Sequence, residues 1–134
     1  MPGVIDTETI EPIAPSEHVL AMELALVVRE LVTILGGPNV AVIGGVRNTS
    51  LVSDWMQGKS RPKNQDREMK LRLALRLARI VGRRFANETV RAWFRGADDL
   101  LDDEAPIGLL AERPHAEIQK GLLVAARAFV QSVS

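Results

Sequence analysis

VAVIGGVRNTSLVSDWMQGKSRP, residues 40–62, decides how the rest of the chain is read. With Asn39 in front, its first part (NVAVIG) is a short apolar helix. That helix runs out through Gly44, Gly45, Val46, Arg47 and Asn48, which is turn chemistry. Thr49 or Ser50 can cap a second short helix, SLVSDWMQ, which Gly58 stops and Pro62 follows. The outline is that of a helix-turn-helix. A helix that reads DNA must be short, because it lies in a groove about 12 Å wide. Its first turn faces base edges and so must be small and polar. Arg47, Asn48, Thr49 and Ser50 meet that need, and Ser53 and Gln57 are assigned to the same face. Val52 and Trp55, three apart, hold the helix to the core. Lys59, Arg61 and Lys63 follow directly, placed to grip phosphates and add affinity without sequence choice. Asp54 opposes this reading, since a carboxylate on the reading helix repels phosphates.

Working outward, Leu20, Leu24, Val27, Leu31 and Leu35 recur at helical spacing, with Ser16 as N-cap and Gly36, Gly37 and Pro38 as the stop. Val19, Met22 and Leu26 lie on another side, so this helix is expected to bury two faces, one of them against a second copy. Residues 64–84 form the longest helix. Met69, Leu73, Leu77, Ile80 and Val81 make its apolar stripe, and Arg72, Arg76, Arg79 and Arg83 a basic one. Asn87 is expected to cap ETVRAWFR, which ends at Gly96. An acidic connector, Asp98 to Glu104, leads to Pro106 at the start of a short helix, IGLLAE, broken by Arg113 and Pro114. Ile118, Leu122, Ala125 and Phe129 give the core face of a last helix that reaches about Gln131. Nothing reads as a strand. The expected fold is all-α, a helix-turn-helix bundle followed by a small helical module, with about seven helices. The expected division is a disordered acidic tail (1–15), a helix-turn-helix domain (16–84) and a partner-binding module (85–134).

The chain has 134 residues, of which 46% are hydrophobic, enough for a core of useful size. It has no cysteine, which excludes disulfides, zinc–thiolate sites and thiol nucleophiles. A formal net charge of zero hides segregation. Residues 1–46 carry one base and six acids, residues 47–95 thirteen bases and four acids, and residues 96–134 three bases and seven acids. The basic centre is expected to point outward at phosphates, clear of its acidic flanks. The Arg72–Arg83 stripe reads first as a solvated face; a nucleic-acid surface and pairing with the Asp98–Glu104 connector are the alternatives. His18 and His115 read as surface residues, and the connector as a solvated linker rather than a calcium loop. No catalytic constellation, metal site, cofactor site or phosphate-cradling glycine pattern is legible. No secretory signal or membrane span is read either, so the expected location is cytoplasmic.

The stretch VAVIGGVRNTSLVSDWMQGKSRP resembles an Xre/Cro-type module, and AWFRGADDLLDDEAPIGLLAE plus the terminal helix resembles the toxin-binding domain of Xre/MbcA/ParS-type antitoxins. Trp93, Leu101, Pro106, Leu109 and Leu110 match that family's pattern; Ala105 stands where it has Ser or Thr. The resemblance implies a homodimeric, non-enzymatic DNA-binding regulator that represses its own operon. It would neutralise a partner toxin, such as a RES-type enzyme that consumes NAD⁺, without a cofactor of its own. It makes Trp93, Lys120, Arg127, Gln131 and Ser134 candidates for partner contact. The alternative is a protein-interaction adaptor that keeps the helix-turn-helix shape without reading DNA.

Overall fold

The structure is a computed structural model, and it describes Glu17, Val19 and residues 22–132. The tail 1–15, Ser16, His18, Leu20 and Ser134 lie outside the described residues. The described residues form seven α-helices: α1 (Leu24–Leu35), α2 (Gly37–Gly44), α3 (Thr49–Met56), α4 (Gln65–Gly82), α5 (Asn87–Arg95), α6 (Pro106–Glu112) and α7 (His115–Ser132). A 3-10 turn (Asp99–Leu101) precedes α6. The all-α class and the helix count are as the sequence implies. Among the described residues no helix is long and apolar enough to cross a membrane.

The centre of the fold is α4. It packs against α1, α2, α5 and α7. Contact on several sides buries far more of it than the single stripe read from the sequence: Leu71, Ala74, Leu75 and Ala78 are inside along with Leu73, Leu77, Ile80 and Val81. Met69, expected in the stripe, is only half-buried. One core runs through the chain, from Leu31 and Leu35 on α1 to Phe94 on α5 and Leu122 on α7.

Helix starts differ from expectation. α1 begins at Leu24 rather than after Ser16, and its N-cap Glu23 makes no side-chain cap bond. Of its expected second face, Val19 is buried, Met22 half-buried and Leu26 exposed. Ala86 occupies the N-cap of α5, so Asn87 is its first residue instead of its cap. Ala105 stands at the N-cap of α6 with no side-chain bond, and Pro106 follows as the sequence suggests. A missing cap of this kind costs about 1 kcal/mol.

The acidic connector is solvated as expected, with Asp99, Asp102, Asp103 and Glu104 exposed, but its backbone is a closed, hydrogen-bonded loop. Asp98 N–H donates to the Glu104 carbonyl at 3.2 Å, and Asp103 N–H to the Asp98 carbonyl at 2.9 Å. The Asp98 carboxylate accepts from Leu100 N–H at 2.8 Å and from the Trp93 indole at 3.3 Å. Asp102 and Asp103 take left-handed backbone (φ 57° and 65°), a conformation that short polar side chains tolerate better than most. Leu101 is thereby turned inward against α7.

Candidate nucleic-acid interface

Local sequence builds the α2–α3 unit. At the end of α2, Gly45 adopts φ +76°; its N–H reaches Val42 O at 3.1 Å and Val46 N–H reaches Ala41 O at 3.0 Å. This is a Schellman end, and it needs glycine at the left-handed position. The N-cap of α3 is Asn48, ahead of the expected Thr49 or Ser50. Its Oδ1 accepts from Ser50 N–H at 3.1 Å and Leu51 N–H at 3.4 Å. A second Schellman end closes α3: Gly58 (φ +71°) donates to Trp55 O at 3.1 Å, and Lys59 N–H to Asp54 O at 2.9 Å.

Tertiary contacts then fix the outward face of α3. Val52 and Trp55 are buried, and the Trp55 ring lies directly on Gly44. From α1, Arg29 Nε donates to Met56 O at 2.8 Å, placing a positive charge at the C-terminal end of α3. At 100° per residue, Ser50 and Gln57 stand opposite the buried Val52–Trp55 edge, with Ser53 and Asp54 to either side. Gln57 Nε2 donates to Ser53 Oγ at 3.1 Å.

All nine residues singled out for DNA contact (Arg47, Asn48, Thr49, Ser50, Ser53, Gln57, Lys59, Arg61 and Lys63) are exposed. They are not equally available. The acceptor of Asn48 is committed to the cap. Arg61 is held bidentate by Glu68 at 2.8 and 2.7 Å, and that hydrogen-bonded pair lowers the Glu68 pKa and raises that of Arg61. Among the described residues no side-chain hydrogen bond or ion pair engages Arg47, Lys59 or Lys63.

The expectation that the whole basic centre points outward is not met. The α4 arginines turn back onto the acidic N-terminal segment, not onto the connector. Glu17, 4% exposed, receives Arg76 at 3.2 Å, Arg83 at 3.1 Å and, from α7, Arg127 at 3.0 Å. Arg79 is bidentate on Glu30 at 2.7 and 2.6 Å, and Arg72 donates to the carbonyls of Val19 and Met22. Other bases serve helix ends. Arg67 donates to Ile43 O at the end of α2 and Ala111 O at the end of α6; Arg91 donates to Ile34 O in the last turn of α1. Lys70, 3% exposed, donates to Arg113 O at 3.0 Å and lies 3.4 Å from Asp66. Arg95 donates to Asn39. A helix C-terminus is a cluster of unpaired carbonyls with partial negative charge, so a cation there is stabilising.

Among the partner-contact candidates, Trp93 is a core residue, 5% exposed, packed edge-on against Phe94 at 5.2 Å. Its indole is spent on Asp98, so it offers no contact surface. Arg127 is engaged by Glu17. Lys120 and Gln131 are exposed on α7. Sequence reading missed the junction at the start of α4, where Asp66 accepts the His115 N–H at 3.0 Å and so caps α7 from outside. That bond, the largest influence, holds the Asp66 carboxyl below its usual range, whereas burial lowers the His115 pKa. No family profile, curated protein or solved structure matches this chain.

Proposed function

We propose that the chain is an antitoxin-like transcriptional regulator that reads duplex DNA with α3. One observation carries the DNA reading. Of the thirteen bases in residues 47–95, those left without an internal partner among the described residues are Arg47, Lys59, Lys63 and Arg84, and three of the four flank α3. Internal hydrogen bonds and ion pairs engage the other nine central bases. What remains brackets a short, rigidly seated, polar helix, with Arg47 at its start and Lys59 and Lys63 past its end. Such an arrangement neutralises phosphates on both sides of a groove while small side chains face the bases.

By its resemblance to Xre/MbcA/ParS-type antitoxins, the C-terminal half is the surface for a partner toxin, with Lys120 and Gln131 the exposed candidates among the described residues and Ser134 a candidate outside them. Two copies are proposed to pair through α1 or through the C-terminal module; Leu26, 48% exposed on α1, and Val124, 51% exposed on α7, are apolar side chains available for such a contact. The second reading, an adaptor that does not bind DNA, draws on Asp54 and on the lack of any Lys or Arg within α3.

Titration of labelled duplex from upstream of its own operon separates the two. The regulator reading expects a shift at about 50 mM salt that weakens steeply as salt rises. No binding at that salt, with partner capture intact, establishes the adaptor.

A further inference from the structure

The outward face of α3 has no cationic side chain. From Thr49 to Met56 the helix carries Ser50, Ser53 and Asp54 toward solvent, and Gln57 continues that face at the cap. The commonest specific contact to guanine in the major groove is a bidentate Arg or Lys on its O6 and N7. This helix cannot make one. In its second turn, at one side of that face, it presents instead a carboxylate, which can only accept hydrogen bonds. Asp54 is partly exposed, and among the described residues its carboxylate has no hydrogen-bond or ion-pair partner. Lys59, five residues on, uses its backbone N–H, not its ammonium, on the Asp54 carbonyl. The carboxylate is thus neither a cap nor half of an ion pair, and it contributes nothing visible to folding. On a surface that meets phosphates it weakens binding to every duplex alike, unless it is satisfied by a donor on a base.

Resting on the DNA reading above, we propose that Asp54 is a specificity-determining residue that selects an exocyclic amino group, the N4 of cytosine or the N6 of adenine, in the major groove. These are the donors the groove offers a carboxylate. Guanine, with O6 and N7 both acceptors, repels it, as does the O4 of thymine. Gln57 and Ser53, coupled at 3.1 Å, lie beside it on the same face and can both donate and accept. Affinity then comes from Arg47, Lys59 and Lys63 on phosphates. Choice comes from Asp54, which penalises every site lacking an amino group in register.

The test is selection from a randomised duplex library with the full chain, the Asp54→Ala variant and the Asp54→Asn variant, followed by titration of the winning duplex and of a scrambled one. The wild-type motif is expected to hold a position fixed as cytosine or adenine. Asp54→Ala loses choice at that position, with discrimination falling about 5- to 150-fold, and binds the scrambled duplex at least as tightly as the wild type. Asp54→Asn, which can donate as well as accept, shifts the preference at that position instead of abolishing it. A wild-type motif unchanged in Asp54→Ala overturns the inference and leaves the DNA reading standing. Failure of all three proteins to bind any duplex at about 50 mM salt overturns both. Far-ultraviolet dichroism of the variants confirms that α3 is retained.

Discussion

Trp55 and Gly44 are in such close contact that a Cβ on Gly44 would fall 2.5 Å from the indole Cζ3 and 2.6 Å from Cη2. This contact sets how closely α3 lies across α2. Gly44→Ala must push the indole, and with it α3, away from the core. The small gain in helix propensity is outweighed by overpacking, for a net loss of about 1–3 kcal/mol. Denaturant unfolding measures this; an unchanged midpoint would show that the ring relaxes freely.

Glu17 joins three arginines from two helices, and it is the member of the cluster that is buried. Glu17→Gln removes the charge but keeps the shape, and is expected to cost about 1.5–3 kcal/mol, the worth of hydrogen bonds to a charged group. The lower end applies if the arginines, which are 18–44% exposed, reach water. A double-mutant cycle with Arg76→Met, read by thermal and denaturant unfolding, isolates the coupling.

Stability is expected to fall as the solution is acidified. The His115 pKa is lowered by burial, so the unfolded chain binds the proton more readily. The corresponding stability is complete above the usual histidine pKa of about 6.5 and is lost as pH falls below it toward the folded value. The carboxyls of Asp66 and Glu68 are also lowered, by the His115 N–H and by Arg61 respectively. Their share is present above about pH 4 and is lost further down. Melting temperature against pH checks both steps. His115→Gln should flatten the upper one and Asp66→Asn the lower one; a melting temperature that rises between about pH 7 and pH 5 contradicts the assignment.

Lys59→Ala, Lys63→Ala and Arg47→Ala should each lower DNA affinity and cut the slope of log affinity against log salt by about 1. Arg84→Ala, away from α3, should change neither. Glu68→Gln should do the reverse of the lysine variants, because releasing Arg61 from its bidentate clamp adds a free cation beside α3. Fluorescence anisotropy over a salt series reads all five; equal slopes throughout remove these residues from the interface.

The sequence alone determined which segments are helical and that a glycine turn joins α2 to α3, though not each helix start: the cap of α3 is Asn48 instead of Thr49 or Ser50, and Asn87 is no cap. Apolar spacing, glycine at left-handed positions and proline at a first turn act within a few residues, so they are legible in a string. It also placed the exposed residues around α3, because Val52 and Trp55 define the buried edge. Tertiary structure alone decided which positive charges remain outside. Arg76, Arg83 and Arg127 meet Glu17 across 59, 66 and 110 residues of chain, and Arg79 meets Glu30 across 49. Arg67 finds its carbonyls at the ends of two other helices. A guanidinium is attracted by a phosphate, a carboxylate or a helix end, and the order of residues does not say which comes within reach. Packing around α4 makes that choice, turning Trp93 and Arg127 inward and leaving Arg47, Lys59 and Lys63 on the surface.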